Sequence, residues 1–169
     1  MAIRQIALAL QNVHREQVLH LDIKESNILI CFKKENQFYT DCAYMPIEFK
    51  LADFGVSRDL SNKAHLSQRE NVVYHRGTPR YMAPEQNVNK AVKDVYKVEV
   101  FSLGVVMFKL LFKAFPFTLE SLHEEGRNPR FLEQFMDSER NIHRVRLSPE
   151  CTELLKRMLA YNQADRCTL

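Results

Sequence analysis

Two carboxylates, an amide and an ammonium group stand in short polar runs in the first third of the chain. Asp22, Lys24 and Asn27 lie in His20-Leu21-Asp22-Ile23-Lys24-Glu25-Ser26-Asn27, and Asp53 opens Asp53-Phe54-Gly55. A carboxylate can orient an attacking hydroxyl and accept its proton, and carboxylate and amide oxygens are the hard donors that magnesium prefers. Phosphoryl transfer asks a protein for little more than such positioning and charge neutralisation. Each run taken alone has a plainer meaning. Asp22 with Lys24 reads as a solvated surface pair, Asp-Phe-Gly as an ordinary turn, and His20 as a packed, hydrogen-bonded histidine.

A third run, Gly77-Thr78-Pro79-Arg80-Tyr81-Met82-Ala83-Pro84-Glu85, follows the other two. The three together, in this order and at these separations, resemble the eukaryotic-type serine/threonine protein kinase domain. The resemblance implies ATP and magnesium as cofactors and a protein Ser/Thr side chain as acceptor. It implies Asp22 as catalytic base, Lys24 on the transferred phosphate, Asn27 and Asp53 as metal ligands, and Leu29 beneath the adenine ring. Thr78 would bond the catalytic aspartate and lysine. His20 and Phe54 would stack as structural partners, Glu85 would pair with Arg166, and Glu99 would hold the catalytic-loop backbone from a central helix. The segments implied are a catalytic loop at 20–27, the Asp-Phe-Gly turn at 53–55, an activation segment at 56–82 and the Ala-Pro-Glu run at 83–85, within one partial kinase domain over 1–169. Lys24 and the Gly77-Thr78-Pro79 segment resemble serine/threonine rather than tyrosine kinases, and the 77–85 segment speaks for a peptide groove over a small molecule or lipid as acceptor.

Several positions depart from the family pattern. Leu21 stands where an arginine usually receives an activation-segment phosphate, so phosphorylation of Ser61 or Ser67 is not expected to switch activity by that route. Glu99 replaces an aspartate, and the extra methylene is expected to loosen the catalytic loop in a tightly packed interior. Phe101 replaces the usual tryptophan. Only 19 residues precede His20, so the chain reads as a carboxy-terminal lobe, without the glycine-rich loop and strand lysine of the amino-terminal lobe and without the last helix. The missing lobe is thus an expected partner in cis, and the isolated chain is expected to be inactive. The rival reading is a pseudokinase-like module that binds a partner without turnover; the intact Asp22, Asn27 and Asp53 speak against it, since clustered carboxylates repel one another without a metal.

The elements that must position these residues are legible from periodicity. Ile3, Ile6, Ala7, Leu10 and Val13 recur at helical spacing and predict an amphipathic helix from about 2 to 15. Ile28 to Phe32 reads as a strand and Phe49 to Ala52 as its partner, with Lys33 to Glu48 between them as an insertion. Val98 to Phe112 is apolar on every side, as in a helix enclosed by protein. Phe131, Leu132, Phe135 and Met136 mark another helix. Ser148 followed by Pro149 opens a last one, burying Leu154, Leu155, Met158 and Leu159. The predicted fold is mainly α: a kinase-like lobe of packed helices with one small two-stranded β-hairpin.

Composition agrees with a globular domain, 46% hydrophobic and 27% charged over 169 residues. The net charge of +3 is spread along the chain and gives no nucleic-acid footprint. The most apolar stretch, Val98 to Phe117, is broken by Lys109 and Lys113 and predicts no membrane span. Cys31, Cys42, Cys151 and Cys167 lack zinc-site spacing and read as free thiols. A cytoplasmic or nuclear protein is expected.

Overall fold

In the computed structural model, residues 2–32, 47–61, 73, 75–87 and 92–169 are described. Helix α1 (Ala2–Arg15) buries Ile6 and Leu10 completely, with Ile3 and Ala7 packed beside them. Strand β1 (Val18–Leu19) follows, then an irregular stretch through Lys24 and a 3₁₀ turn at Glu25–Asn27. Strand β2 (Ile28–Phe32) pairs antiparallel with β3 (Ile47–Leu51), Ile28 facing Leu51 and Phe32 facing Ile47. The second strand therefore begins two residues before the predicted Phe49, and Ile47 and Glu48 belong to the hairpin rather than the insertion. The remainder of the insertion, 33–46, which includes Cys42, lies outside the described residues, as does Ser67.

A second ladder joins β1 to β4 (Arg58–Asp59), with Leu19 opposite Arg58, and Leu60 N–H donates to Gln17 O at 2.7 Å. This ladder draws the residues after Gly55 back to the start of the 20–27 loop. At two residues per strand it is too short to show an alternating pattern in sequence.

Helix α2 (Pro84–Asn87) leads to α3 (Lys97–Phe112), the centre of the molecule. As predicted, α3 is enclosed by protein along most of its length, with Leu103, Val106 and Phe108 fully buried. Phe108 and Phe112 form a ring cluster with Phe135 of α5 (Phe131–Asp137), at centroid distances of 4.7 and 5.2 Å. Helix α4 (Leu122–Glu125), one turn anchored by buried Leu122, precedes it in a stretch with no helical pattern.

Helix α6 (Pro149–Met158) starts as predicted, with Ser148 Oγ accepting the Cys151 N–H at 3.3 Å. Its buried stripe is Leu155, Met158 and Leu159, at i, i+3 and i+4. Leu154, one residue out of phase with that stripe, is 45% exposed instead of buried. Gly104 lets α3 approach α6 closely: a β-carbon there would lie 2.9 Å from Met158 Cβ and 3.1 Å from Leu159 Cδ2. Gly104→Ala is therefore expected to destabilise the chain by about 1–3 kcal/mol through overpacking, despite alanine's better helix propensity. Urea denaturation measures this, and a neutral or stabilising result would show that the two helices can separate without cost.

Cys31, Cys151 and Cys167 are free thiols, and partial burial pushes the Cys151 thiol up from its ordinary value. Among the described residues no helix is long and apolar enough to cross a membrane.

Candidate active site

The 20–27 loop is held from below by two buried polar side chains. His20 Nδ1 accepts the Asp22 N–H at 3.2 Å, which leaves Nε2–H to donate to Ala52 O at 2.9 Å. The imidazole thus ties the loop to the end of β3, while Phe54 meets it edge-on at 4.6 Å. Leu21 adopts φ 66° and Asp53 φ 64°, left-handed conformations that cost a non-glycine residue about 1–3 kcal/mol and cluster at functional sites. At Leu21 the twist presents the backbone N–H to Glu99 Oε1 at 2.5 Å. The Leu21 side chain is buried in the core.

Glu99 reaches the loop despite its extra methylene, bonding the Leu21 N–H through one oxygen. Its second oxygen takes the His14 Nε2–H at 2.6 Å, so the longer carboxylate spans from α1 to the loop. His14 was not foreseen from sequence, because its partner is 85 residues away. The buried carboxylate with two charge-assisted bonds is satisfied, and the helix pattern around His14 carries no trace of it.

Asp22 is gripped from three directions. Thr78 Oγ1 donates to Oδ1 at 2.7 Å, and Lys24 Nζ and Asn27 Nδ2 lie 2.7 and 3.1 Å from Oδ2. Lys24 Nζ also donates to Thr78 Oγ1 at 3.0 Å, closing the ring. Partial burial pushes the Asp22 carboxyl upward, but the bonds from Lys24, Thr78 and Asn27 outweigh it and hold the group below its ordinary range. Asn27 spends its amide hydrogens on Asp22 O and Oδ2, which leaves the amide oxygen as its remaining donor atom toward a ligand. The Asn27 carbonyl accepts the Ala52 N–H at 2.9 Å, so the base of the hairpin fixes Asp53 one residue farther on. Asp53 Oδ1 accepts the Gly55 N–H at 3.2 Å in an exposed turn. Leu29, opposite Lys50, is 51% exposed, and Phe54 is exposed too.

This donor set suits magnesium. Among the described residues no group of three His, Cys, Asp or Glu side chains forms a metal cage. Magnesium takes one or two protein ligands and completes its octahedron with water and phosphate oxygens, so one amide oxygen and one carboxylate are an adequate protein share.

On the facing side Gly77 has φ 98°, and a β-carbon there would fall 2.1 Å from Leu21 O. Only glycine lets the Thr78 backbone come this near the loop. A 3₁₀ turn at Pro79–Tyr81 then docks on α3, where Ser102 Oγ donates to Tyr81 O at 2.8 Å. Gln86 Oε1 accepts the Ala83 N–H, and its amide donates to Val73 O. Glu85 meets Arg166 in the interior: Nη1 and Nη2 donate to Oε1 and Oε2 at 2.7 and 3.2 Å. Arg166 also caps Ala160 O and Lys97 O and lies over the Phe101 ring at 5.1 Å. Glu25, Tyr81 and Lys109, none of them given a role at the site from sequence, form a further polar cluster behind the loop.

A lobe of packed helices bearing one hairpin is the fold that the three sequence runs implied, and in it a threonine, a lysine and an asparagine converge on one aspartate. The family model for the protein kinase domain matches residues 1–169, and the chain belongs to that family. It is 34% identical to the serine/threonine-protein kinase ULK3 of Xenopus laevis, over 93% of this chain and 29% of that protein. Mouse ULK3 is likewise 34% identical, over 96% of this chain and 30% of the relative. The serine/threonine-protein kinase unc-51 of Caenorhabditis elegans is 31% identical, over 96% of this chain and 17% of its own length. The chain thus spans less than a third of the curated relatives it matches.

Proposed function

We propose that this chain is the catalytic-loop and substrate-binding part of a protein serine/threonine kinase. The observation that carries the reading is the Asp22 carboxylate with its three fixed donors. Two of its four lone-pair sites lie on Oδ1, and Thr78 uses one, so one remains for an incoming hydroxyl. A carboxylate held so firmly ionised is a weak base, but the loose transition state of phosphoryl transfer needs the hydroxyl oriented more than it needs early deprotonation. Lys24 Nζ sits beside that position and supplies positive charge toward a phosphoryl group. Asn27 and Asp53 would hold magnesium, Leu29 would meet the adenine face of ATP, and Thr78 would keep Lys24 and Asp22 in register. ATP supplies the transferred group, and its magnesium neutralises the phosphate charge. Ser or Thr as acceptor is supported by the names of the relatives and by Lys24 with Gly77-Thr78-Pro79.

No glycine-rich run occurs within residues 1–169, so the test supplies the nucleotide clamp. Fused to the amino-terminal lobe of a related kinase, it is expected to transfer the γ-phosphate of ATP to a Ser/Thr peptide mixture, with magnesium required. A folded fusion that neither binds ATP with magnesium nor phosphorylates any peptide would overturn this reading and leave a partner-binding module in its place.

A further inference from the structure

Glu25 immediately follows Lys24 and opens the turn that ends at Asn27, yet its carboxylate takes no part in the Asp22 ring. Its Oε1 lies 2.8 Å from Lys109 Nζ on α3, and its Oε2 accepts the Tyr81 hydroxyl at 2.6 Å. Lys109 Nζ donates to the same Tyr81 oxygen at 2.7 Å, closing a triangle between three separate elements. One aromatic ring backs it: Lys109 Nζ lies 4.3 Å and the Arg80 guanidinium 3.7 Å from the Phe115 centroid. Tyr81 is therefore fixed to α3 at both ends, its carbonyl by Ser102 and its hydroxyl by Lys109. Its N–H donates back to Thr78 O at 2.9 Å, which passes the constraint to the residue that touches Asp22.

We propose that Lys109 is a positioning residue for phosphoryl transfer, locking the loop that bears Asp22 and Asn27 against the segment that bears Thr78. The inference rests on the function proposed above for Asp22. Its logic is geometric. Without the ammonium group, the Glu25 carboxylate and the Tyr81 hydroxyl keep only their bond to each other, and Tyr81 is held to α3 through its carbonyl alone. The turn carrying Asn27 then loses its tie to α3 and shifts relative to the Thr78–Tyr81 segment, which Ser102 still holds, and the Asp22 ring loses its register. Lys109 and Glu25 retain 25% and 30% side-chain exposure, and an ion pair so exposed adds little to global stability. A purely structural bridge would thus leave almost no trace on removal, whereas a positioning residue leaves a local one.

The test is Lys109→Met, read by amide hydrogen exchange in the chain itself and by steady-state kinetics in the fusion. Exchange over 24–27 and 76–83 is expected to quicken about tenfold or more, with α6 unchanged and the melting temperature nearly so. In the fusion kcat falls by a similar factor while KM for ATP holds, and Lys109→Arg recovers both readouts. Glu25→Gln serves as the second variant if Lys109→Met fails to fold, with the same local exchange expected. Unchanged exchange in those two segments, or a loss spread evenly over the whole chain, overturns the proposal. If the parent fusion neither binds ATP with magnesium nor transfers phosphate, the proposed function fails by that result, and the exchange data still decide what Lys109 does.

Discussion

Replacing Asp22 by asparagine is expected to lower kcat of the transfer-competent fusion by about 10²- to 10⁴-fold, with the fold and the nucleotide affinity preserved. Asparagine fills the same volume, so the ring of Thr78, Lys24 and Asn27 keeps its place. What changes is the chemistry at its centre. The new amide offers one oxygen, enough for either the Thr78 hydroxyl or the Lys24 ammonium, and a pair of hydrogens that confronts donors on the other side. The oxygen that remains is neutral, so it holds a substrate hydroxyl more weakly and cannot take its proton. Radiolabel transfer under single-turnover conditions measures the loss, and a melting curve within a few degrees of the parent separates it from unfolding. Transfer at the parent rate would remove Asp22 from the mechanism.

The same carboxylate sets an acid limit. Its value in the folded chain lies below the usual 3.8, so Asp22 is ionised throughout the physiological range. Its contribution to stability is complete above that usual value and disappears only as pH falls through the lower folded one. Any loss of activity between pH 5 and 7 would therefore have to come from another group.

How far the chain announces this site depends on the range of each interaction. The α1 stripe, the enclosed α3 and the Ser148-Pro149 start of α6 are local patterns, fixed within a few residues by side-chain period and capping chemistry, and they read correctly. Leu154 misread because a run of two leucines does not say which of them faces inward until the packing against α3 sets the helix phase. The β1–β4 ladder and α4 are too short to carry a period. Polar long-range partners are the least legible. The change from aspartate to glutamate at position 99 was visible, but its consequence depended on His14, which nothing local connects to it. Lys109 looked like an interruption of an apolar helix, when it is the point at which that helix takes hold of Glu25 and Tyr81.

Glu85 and Arg166 extend that lesson to stability. Arg166 is fully enclosed and all five of its N–H groups are used, on the two Glu85 oxygens and on the carbonyls of Lys97 and Ala160. Gln163 adds a bond to Glu85 Oε1 at 3.2 Å. Breaking such a pair from one side strands a buried charge, and Arg166→Met is expected to cost about 3–5 kcal/mol. For a domain of this size that is a fall in melting temperature of about 6–20 °C. The pair itself need not be stabilising relative to apolar groups of similar volume, so Glu85→Leu combined with Arg166→Met should cost less than the sum of the two single changes. It should not return to the parent value, because the carbonyls of Lys97 and Ala160 lose their donor in either variant that lacks Arg166. Thermal melts of the four proteins measure the cycle. A single Arg166→Met variant within 2 °C of the parent, a shift of less than about 1 kcal/mol, would mean that the ends of α3 and α6 do not depend on this guanidinium to stay together.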